Sequence, residues 1–169
     1  MRFAKVRNVK TPCRANSEDV GYDFFMPEFD HDFVITLFEL NKELMGDDHD
    51  HFMGTLLRLL PFQRIRIPSG IHIDVPKNHA FIAENKTGVS YKKGLLTIAR
   101  VVDPGFQGEL VLGVQNNTPE PMLIATGEKL IQFLLVPVRL PELQECTLDE
   151  LFPVKSSRGT GSFGSTGVI

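Results

Sequence analysis

An aspartate in a tight turn, a lysine–threonine–glycine run and a glycine-rich segment headed by arginine are the parts of this chain best equipped for chemistry. Asp103 lies in Val102-Asp-Pro-Gly-Phe106, a pattern that sets a carboxylate at the edge of a hairpin, where it can orient and deprotonate water. The competing reading of a turn aspartate is an Asx-turn or plain solvation. Lys86-Thr-Gly88 precedes a short stretch that ends at Gly94. With Thr87 as the N-cap of a small helix, the first amides would face an anion. Residues 158–169, Arg-Gly-Thr-Gly-Ser-Phe-Gly-Ser-Thr-Gly-Val-Ile, set four glycines around Phe163. Such a segment has too little apolar side chain for a core, and its glycines make regular structure costly. It can expose backbone N–H groups and hydroxyls to phosphate oxygens. Arg158 can grip a phosphate through two parallel bonds, and Phe163 offers a face for stacking on a base. By composition alone the same residues read as a frayed terminus.

These groups need a scaffold, and the pattern from Phe62 onward is that of short strands. Ile65, Ile67, Ile71, Ile73 and Val75 alternate with Arg64, Arg66, His72 and Asp74 around a Pro68-Ser-Gly70 turn. Further apolar runs at 79–83, 95–102, 109–114, 121–124 and 130–138 are separated by proline, glycine and asparagine turns. Many short strands with frequent turns predict an all-β sandwich, jelly roll or barrel. Residues 30–60 differ. Phe33, Leu37, Leu40 and Leu44 recur at helical spacing between Asp32 and Gly46, and Leu56, Leu57, Leu59 and Leu60 form a second apolar stretch before Pro61. This predicts a helical insertion in a β domain, with an apolar face that covers the barrel flank or another subunit. Within it, Asp47-Asp-His-Asp-His51 has metal-binding residue types. Consecutive placement in a loop is poor ligand geometry, and the run reads as solvated.

A chain of 169 residues with 42% hydrophobic and 23% charged residues fits one soluble domain with a real core. A net charge of −3 gives no global attraction to nucleic acid or anionic membrane, so any phosphate must be held locally. Cys13 and Cys146 lack disulfide-framework or metal spacing, and neither a signal-type apolar region nor a membrane-length run is present. The expectation is a cytoplasmic protein.

Five segments in order carry a family resemblance: Asp19-Val-Gly-Tyr-Asp-Phe24, Ala83-Glu-Asn-Lys-Thr-Gly-Val-Ser90, Ala99-Arg-Val-Val-Asp-Pro-Gly-Phe-Gln-Gly-Glu109, Gly127-Glu-Lys-Leu-Ile-Gln-Phe133 and the tail 158–169. Together they resemble the motifs of the trimeric deoxyuridine triphosphatases. The resemblance implies a jelly-roll β barrel over residues 1–157, with the insertion at about 30–60 and a flexible tail at 158–169 that closes the active site of another subunit. It implies hydrolysis of dUTP to dUMP and pyrophosphate, which limits uracil in DNA and supplies dUMP for thymidylate synthesis. Asp103 would be the general base for the attacking water. The backbone from Ala99 through Val102 to Asp103 would read uracil, and the Phe106 ring, where tyrosine is usual, would exclude a ribose 2′-hydroxyl. Its competing reading is a core aromatic in a hairpin. Lys86, Thr87 and Gly88 stand for the usual Arg-Ser-Gly as triphosphate contacts. Lysine keeps the charge but not the planar fork. Gln132 would contact the nucleotide. Arg158, Gly164, Ser165 and Thr166 would hold the outer phosphates while Phe163 closes over the base. Asp23 would act through water on a triphosphate-bound Mg²⁺, an ion that keeps several waters and takes phosphate oxygens. The implied assembly is a homotrimer.

Two other functions compete. The related dCTP deaminases need a glutamate on the strand after the turn, where this chain has Gly113. A nucleotide-sensing interaction protein, with a protein partner at the insertion 30–60, is the alternative from another class.

Overall fold

The computed structural model describes residues 1–45 and 51–162. Contacts divide the chain into two units, Met1–Arg139 and Leu140–Ile169. The first unit opens with β1 (Arg2–Lys5), β2 (Gly21–Phe25) and the helix α1 (His31–Met45). Strands β3 (Phe52–Met53), β4 (Leu56–Leu59), β5 (Arg64–Pro68), β6 (Ile71–Asp74) and β7 (His79–Glu84) follow, then the helix α2 (Thr87–Lys93). It ends with β8 (Leu95–Thr97), β9 (Val101–Val102), β10 (Val111–Asn116), β11 (Met122–Ala125) and β12 (Lys129–Pro137). Among the described residues the second unit contains one short helix, α3 (Leu148–Leu151), opened by a reciprocal capping box between Thr147 and Glu150.

All strand pairs are antiparallel, in the orders β2-β12-β7-β9, β5-β10-β8, β11-β4-β3 and β1-β6. Among the described residues these sheets do not join into one hydrogen-bonded ring. The alternation read from the sequence is kept: Ile65 and Ile67 are buried while Arg64 and Arg66 point out. Three aromatic rings bind the largest sheet to the core. Phe81 stacks on Phe133 at 4.7 Å, and Phe24 tilts against Phe133 at the same distance. These three side chains are essentially without exposure, so they also supply much of the apolar burial that holds β2, β12 and β7 together. No helix among the described residues is long and apolar enough to cross a membrane.

The insertion is half of what the pattern predicts. Helix α1 forms, and Asp30 rather than Asp32 caps it, accepting the Phe33 N–H at 2.8 Å. Gly46, expected as the stop, lies outside the described residues, as do Asp47, Asp48, His49 and Asp50. The second apolar stretch is not helical: Leu56–Leu59 is strand β4, and it pairs with β11 from Leu56↔Ala125 to Leu59↔Met122. An unbroken apolar run fits a buried strand as well as a helix, and here a partner strand decides. His51 is buried with Nδ1 against the Arg58 carbonyl at 3.1 Å, a packed ring in a turn rather than part of a solvated loop.

Helix α1 is fixed to the edge of β5 by Asn41, which leaves helical geometry (φ −126°, ψ 15°) and is fully buried. Its Nδ2 donates to the Arg66 carbonyl at 2.8 Å and its Oδ1 accepts the Arg66 N–H at 2.8 Å. One side-chain amide thus stands in for a neighbouring strand and satisfies an otherwise bare edge. Arg66 adds a bond to the Leu40 carbonyl at 3.0 Å and an ion pair with Glu43. Asn41→Ala orphans both Arg66 backbone groups, so urea denaturation should show a loss of about 2–4 kcal/mol. A loss well under 1 kcal/mol would mean that water takes the place of the amide.

Candidate active site

The hairpin expected around Asp103 is present, and its turn explains its sequence. The Phe106 N–H donates to the Asp103 carbonyl at 3.3 Å, with Pro104 and Gly105 between them. Gly105 has φ +85°, the left-handed value that the third position of a type II turn demands and that a side chain resists. The strand leading in, β9, pairs with β7 as Phe81↔Val102 and Ile82↔Val101. Asp103 is exposed, and among the described residues no cation pairs with it. It lines a cleft of about 190 Å³ with Val101, Val102, Phe106, Glu109, Leu110 and Val111. That is below the roughly 300–1,000 Å³ of whole-ligand sites, so the cleft accommodates part of a ligand. The Phe106 ring, 48% exposed, folds over Gly108, where a Cβ would stand 2.6 Å from Cζ. Ala99 is exposed just before the hairpin, and its Cβ would lie 2.9 Å from a Cβ on Gly113. Gly113 is therefore the residue that lets this segment approach β10, and a glutamate there would have to displace it.

The second group assembles around Asp23. Its carboxylate is almost fully buried, with Lys86 Nζ 2.8 Å from Oδ1 and Lys129 Nζ 2.6 Å from Oδ2. Burial pushes this carboxyl up, but hydrogen bonds and charge from Lys129 and Lys86 outweigh it and leave the pKa below its ordinary value. Asp23 in turn holds the Lys129 ammonium above its ordinary value through their hydrogen bond. Lys129 was not among the residues singled out as ligands, although it lies inside the Gly127–Phe133 segment. It reaches Asp23 because of a bulge: Lys129 pairs with Phe25 but Ile131 with Phe24, an extra residue on β12. Without it, Lys129 and Gln132 would lie on opposite faces; with it both share the face of Asp23.

Gln132 lies opposite Asp23 and Glu84 in the sheet. Its Nε2 donates to the Asn85 carbonyl at 3.0 Å, and Gly21 gives its side chain room, since a Cβ there would stand 2.5 Å from Oε1. Gln132 thus braces the loop that carries Lys86. Helix α2 begins at Thr87, so the N-cap is Lys86 and not Thr87, and no side chain caps it. Gly94 ends it in the left-handed conformation, as its position predicts. Lys93 is exposed at the end of the helix and forms an ion pair with Glu128. Thr87 and Gly88 are exposed, with nothing within 4 Å of a Cβ on Gly88. Thr87 lines a separate cleft of about 420 Å³ with Asn85, Ser90, Tyr91 and Leu96. The structure therefore joins Val102, Asp103 and Phe106 in one place, and Asp23, Lys86 and Gln132 in another.

In the second unit, Arg158 Nε donates to the Gly161 carbonyl at 3.1 Å. Phe163, Gly164, Ser165 and Thr166 lie outside the described residues. As a metal site the described residues do not fit: both Asp23 oxygens face ammonium groups, and no cluster of three or more His, Cys, Asp or Glu is formed among them.

The sequence model of the dUTPase family matches residues 55–167. The chain belongs to the dUTPase family. It is 32% identical to the deoxyuridine 5′-triphosphate nucleotidohydrolase of Mycobacterium sp. (strain JLS) over 122 residues, 70% of this chain and 79% of that one. Its identity to the enzyme of the same name from Desulfitobacterium hafniense (strain DCB-2) is 33% over 129 residues, 73% of this chain and 81% of that one. The enzyme is a dUTP diphosphatase and hydrolyses dUTP. Its fold is that of the Staphylococcus bacteriophage 80alpha dUTPase, solved with dUpNHpp, at TM-score 0.71 and 22% identity over 99% of this chain and 98% of that one. The dUTPase of phage phi11 of S. aureus, whose structure is described as revealing the coordination of a structural Mg(II) ion, matches at TM-score 0.65 and 20% identity over 86% and 95%. The jelly roll expected from the motifs is thus the fold of the chain.

A carboxyl with a lowered pKa in the folded state adds stability that is present above its unfolded value, near 4, and is lost as pH falls through the folded one. Asp23→Asn should therefore lower the urea midpoint at pH 7, with the gap to the parent enzyme narrowing below about pH 4. A gap of constant size from pH 7 to pH 3 would show that Asp23 carries no such linkage.

Proposed function

We propose that Asp103 is the general base of dUTP hydrolysis. The observation that carries this reading is its placement: an exposed carboxylate that no cation among the described residues pairs, on the rim of a part-ligand cleft walled by Phe106. A water held by Asp103 gives it a proton as its oxygen attacks the α-phosphorus. The bond from that phosphorus to the bridging oxygen of the β-phosphate breaks, pyrophosphate leaves and dUMP remains. The uracil is held by the backbone from Ala99 to Asp103, and the Phe106 ring leaves no room for a ribose hydroxyl. Lys86 with Thr87 and Gly88 contacts the triphosphate; Asp23 keeps Lys86 in place, and Gln132 keeps its loop in place. Arg158, Phe163, Gly164, Ser165 and Thr166 close over the nucleotide from the tail 158–169. Magnesium enters only as an ion carried on the triphosphate of dUTP, with water and phosphate oxygens around it, and no side chain is assigned to it.

The assembly we infer is a homotrimer. Two features support it: Asp103 and Thr87 line different clefts of one chain, and Leu143, Leu148, Phe152 and Val154 expose apolar surface that a second copy can bury. The cytoplasm is the proposed location, supported by two exposed, unpaired cysteines. A protein partner at the insertion is a second reading, and α1 offers it Ile35, 44% exposed on the outer face. A deletion that tests it must spare β4, which is a strand of the β11 sheet.

Asp103→Asn should bind dUTP with an unchanged Kd by calorimetry and lose turnover by about 10²–10⁴-fold in pyrophosphate release. Parent-level turnover would refute the assignment. Removing residues 158–169 should abolish turnover and leave the thermal unfolding of the barrel unchanged. Retained activity would free the tail of any role in closure.

A further inference from the structure

Glu109 ends the segment that contains Asp103, and it lines the same cleft, yet its carboxylate is not free for chemistry. Oε1 accepts from Arg7 Nε at 2.9 Å and from the Gly70 N–H at 2.6 Å, while Oε2 accepts from Arg7 Nη2 at 3.0 Å. The side chains of Arg7 and Glu109 are 14% and 19% exposed, so this two-bond pairing is shielded from solvent and geometrically strict. Arg7 Nη2 also donates to Thr36 Oγ1 at 3.1 Å, and that hydroxyl donates to the Asp32 carbonyl at 2.8 Å inside α1. Gly70 has φ +75°, and a Cβ there would stand 3.0 Å from Arg7 Cβ; glycine is what lets Arg7 lie across the β5–β6 turn.

The stretch between β9 and β10 is anchored at its two legs, and Glu109 is the side chain on the returning leg held by an ion pair. One leg is held by the two residues of β9 against β7; the other is held by Gln107, whose carbonyl lies 2.8 Å from His72 Nδ1, by Glu109, and by Leu110, which donates to the Ile71 carbonyl and accepts the Ser69 N–H, each at 2.9 Å. Whatever shifts Glu109 shifts the leg that returns from Asp103. A displacement of about 1 Å in a reacting group costs about 100-fold in rate.

We propose that the Arg7–Glu109 pair is the strut that positions the Asp103 hairpin, and that Thr36 makes the insertion helix α1 part of that strut. Arg7, Glu109 and Thr36 are positioning residues, and turnover in this enzyme depends on a helix that does not line the cleft. The inference rests on the reading of Asp103 as the base.

The test is steady-state dUTP hydrolysis by the full chain in four variants, each with its thermal midpoint. Glu109→Gln removes the charge and sets an amide NH₂ against a donor, so one hydrogen bond is lost; kcat should fall about tenfold with KM within about twofold. Arg7→Lys keeps the charge without the fork, and its kcat should lie between those of Glu109→Gln and the parent. Thr36→Val is isosteric and cuts only the helix from the strut, with kcat expected to fall about threefold at unchanged KM. Asp103→Asn separates the two claims. If it is inactive while Glu109→Gln and Thr36→Val keep parental kcat, the strut is wrong and the base stands; if it is active, the reading of the base is wrong. A Thr36→Val variant that loses thermal stability but keeps kcat overturns the proposal, and if Glu109→Gln does not fold, Thr36→Val alone decides.

Discussion

A buried carboxylate cannot remain charged without partners, and the site around Asp23 is organised by that requirement. Removing an ionised group from water costs several kcal/mol unless cations and hydrogen bonds replace the lost solvent. Here the cations come from two places far apart in sequence, the loop after β7 and the start of β12. Meeting at Asp23 fixes that loop to the β2–β12 pair, and the loop leads directly into Thr87 and Gly88. Two ammonium groups on one carboxylate leave an excess of positive charge beside these residues, in a protein whose overall charge is negative. Local arrangement, not net charge, makes the region suited to phosphate.

The hairpin obeys a different constraint, that of backbone approach. Gly105 supplies the turn, Gly108 makes room for the Phe106 ring, and Gly113 lets the segment at Ala99 lie against β10. Each is a place where a Cβ would meet strain or an atom already present. The fold also spends side chains on bare edges, as Asn41 does for β5. Helix α1 is consequently held by polar contacts as well as packing, Asn41 to β5 and Thr36 to Arg7 after β1, while Phe33 and Leu37 enter the core.

Local signals were legible wherever a backbone conformation or a period sets the outcome. The alternation at 64–75, the Pro104-Gly105 turn and the stop at Gly94 are of this kind. The reading of Leu56–Leu60 as helix failed because consecutive leucines carry no period that separates a buried strand from a helix, and the pairing with β11 supplies the answer. Thr87 looked like a cap because of its residue type, but capping depends on where the chain turns, and it turns at Lys86. Lys129 and Glu109 both lie within the motifs but carry no local mark of their partners, since nothing local distinguishes a lysine on a bulge from one in register.

By itself, the order of five short motifs determined the family, the reaction and the hairpin that carries Asp103, because turns, glycines and chemically distinct side chains write their requirements locally. Only the tertiary structure decided which charges meet: that Asp23 is spoken for by two lysines, and that Glu109 is held by Arg7 under the insertion helix. Those pairings depend on strand register, on one bulge and on contacts across about a hundred residues of chain, and long-range register is set by packing of whole faces, which no single segment encodes.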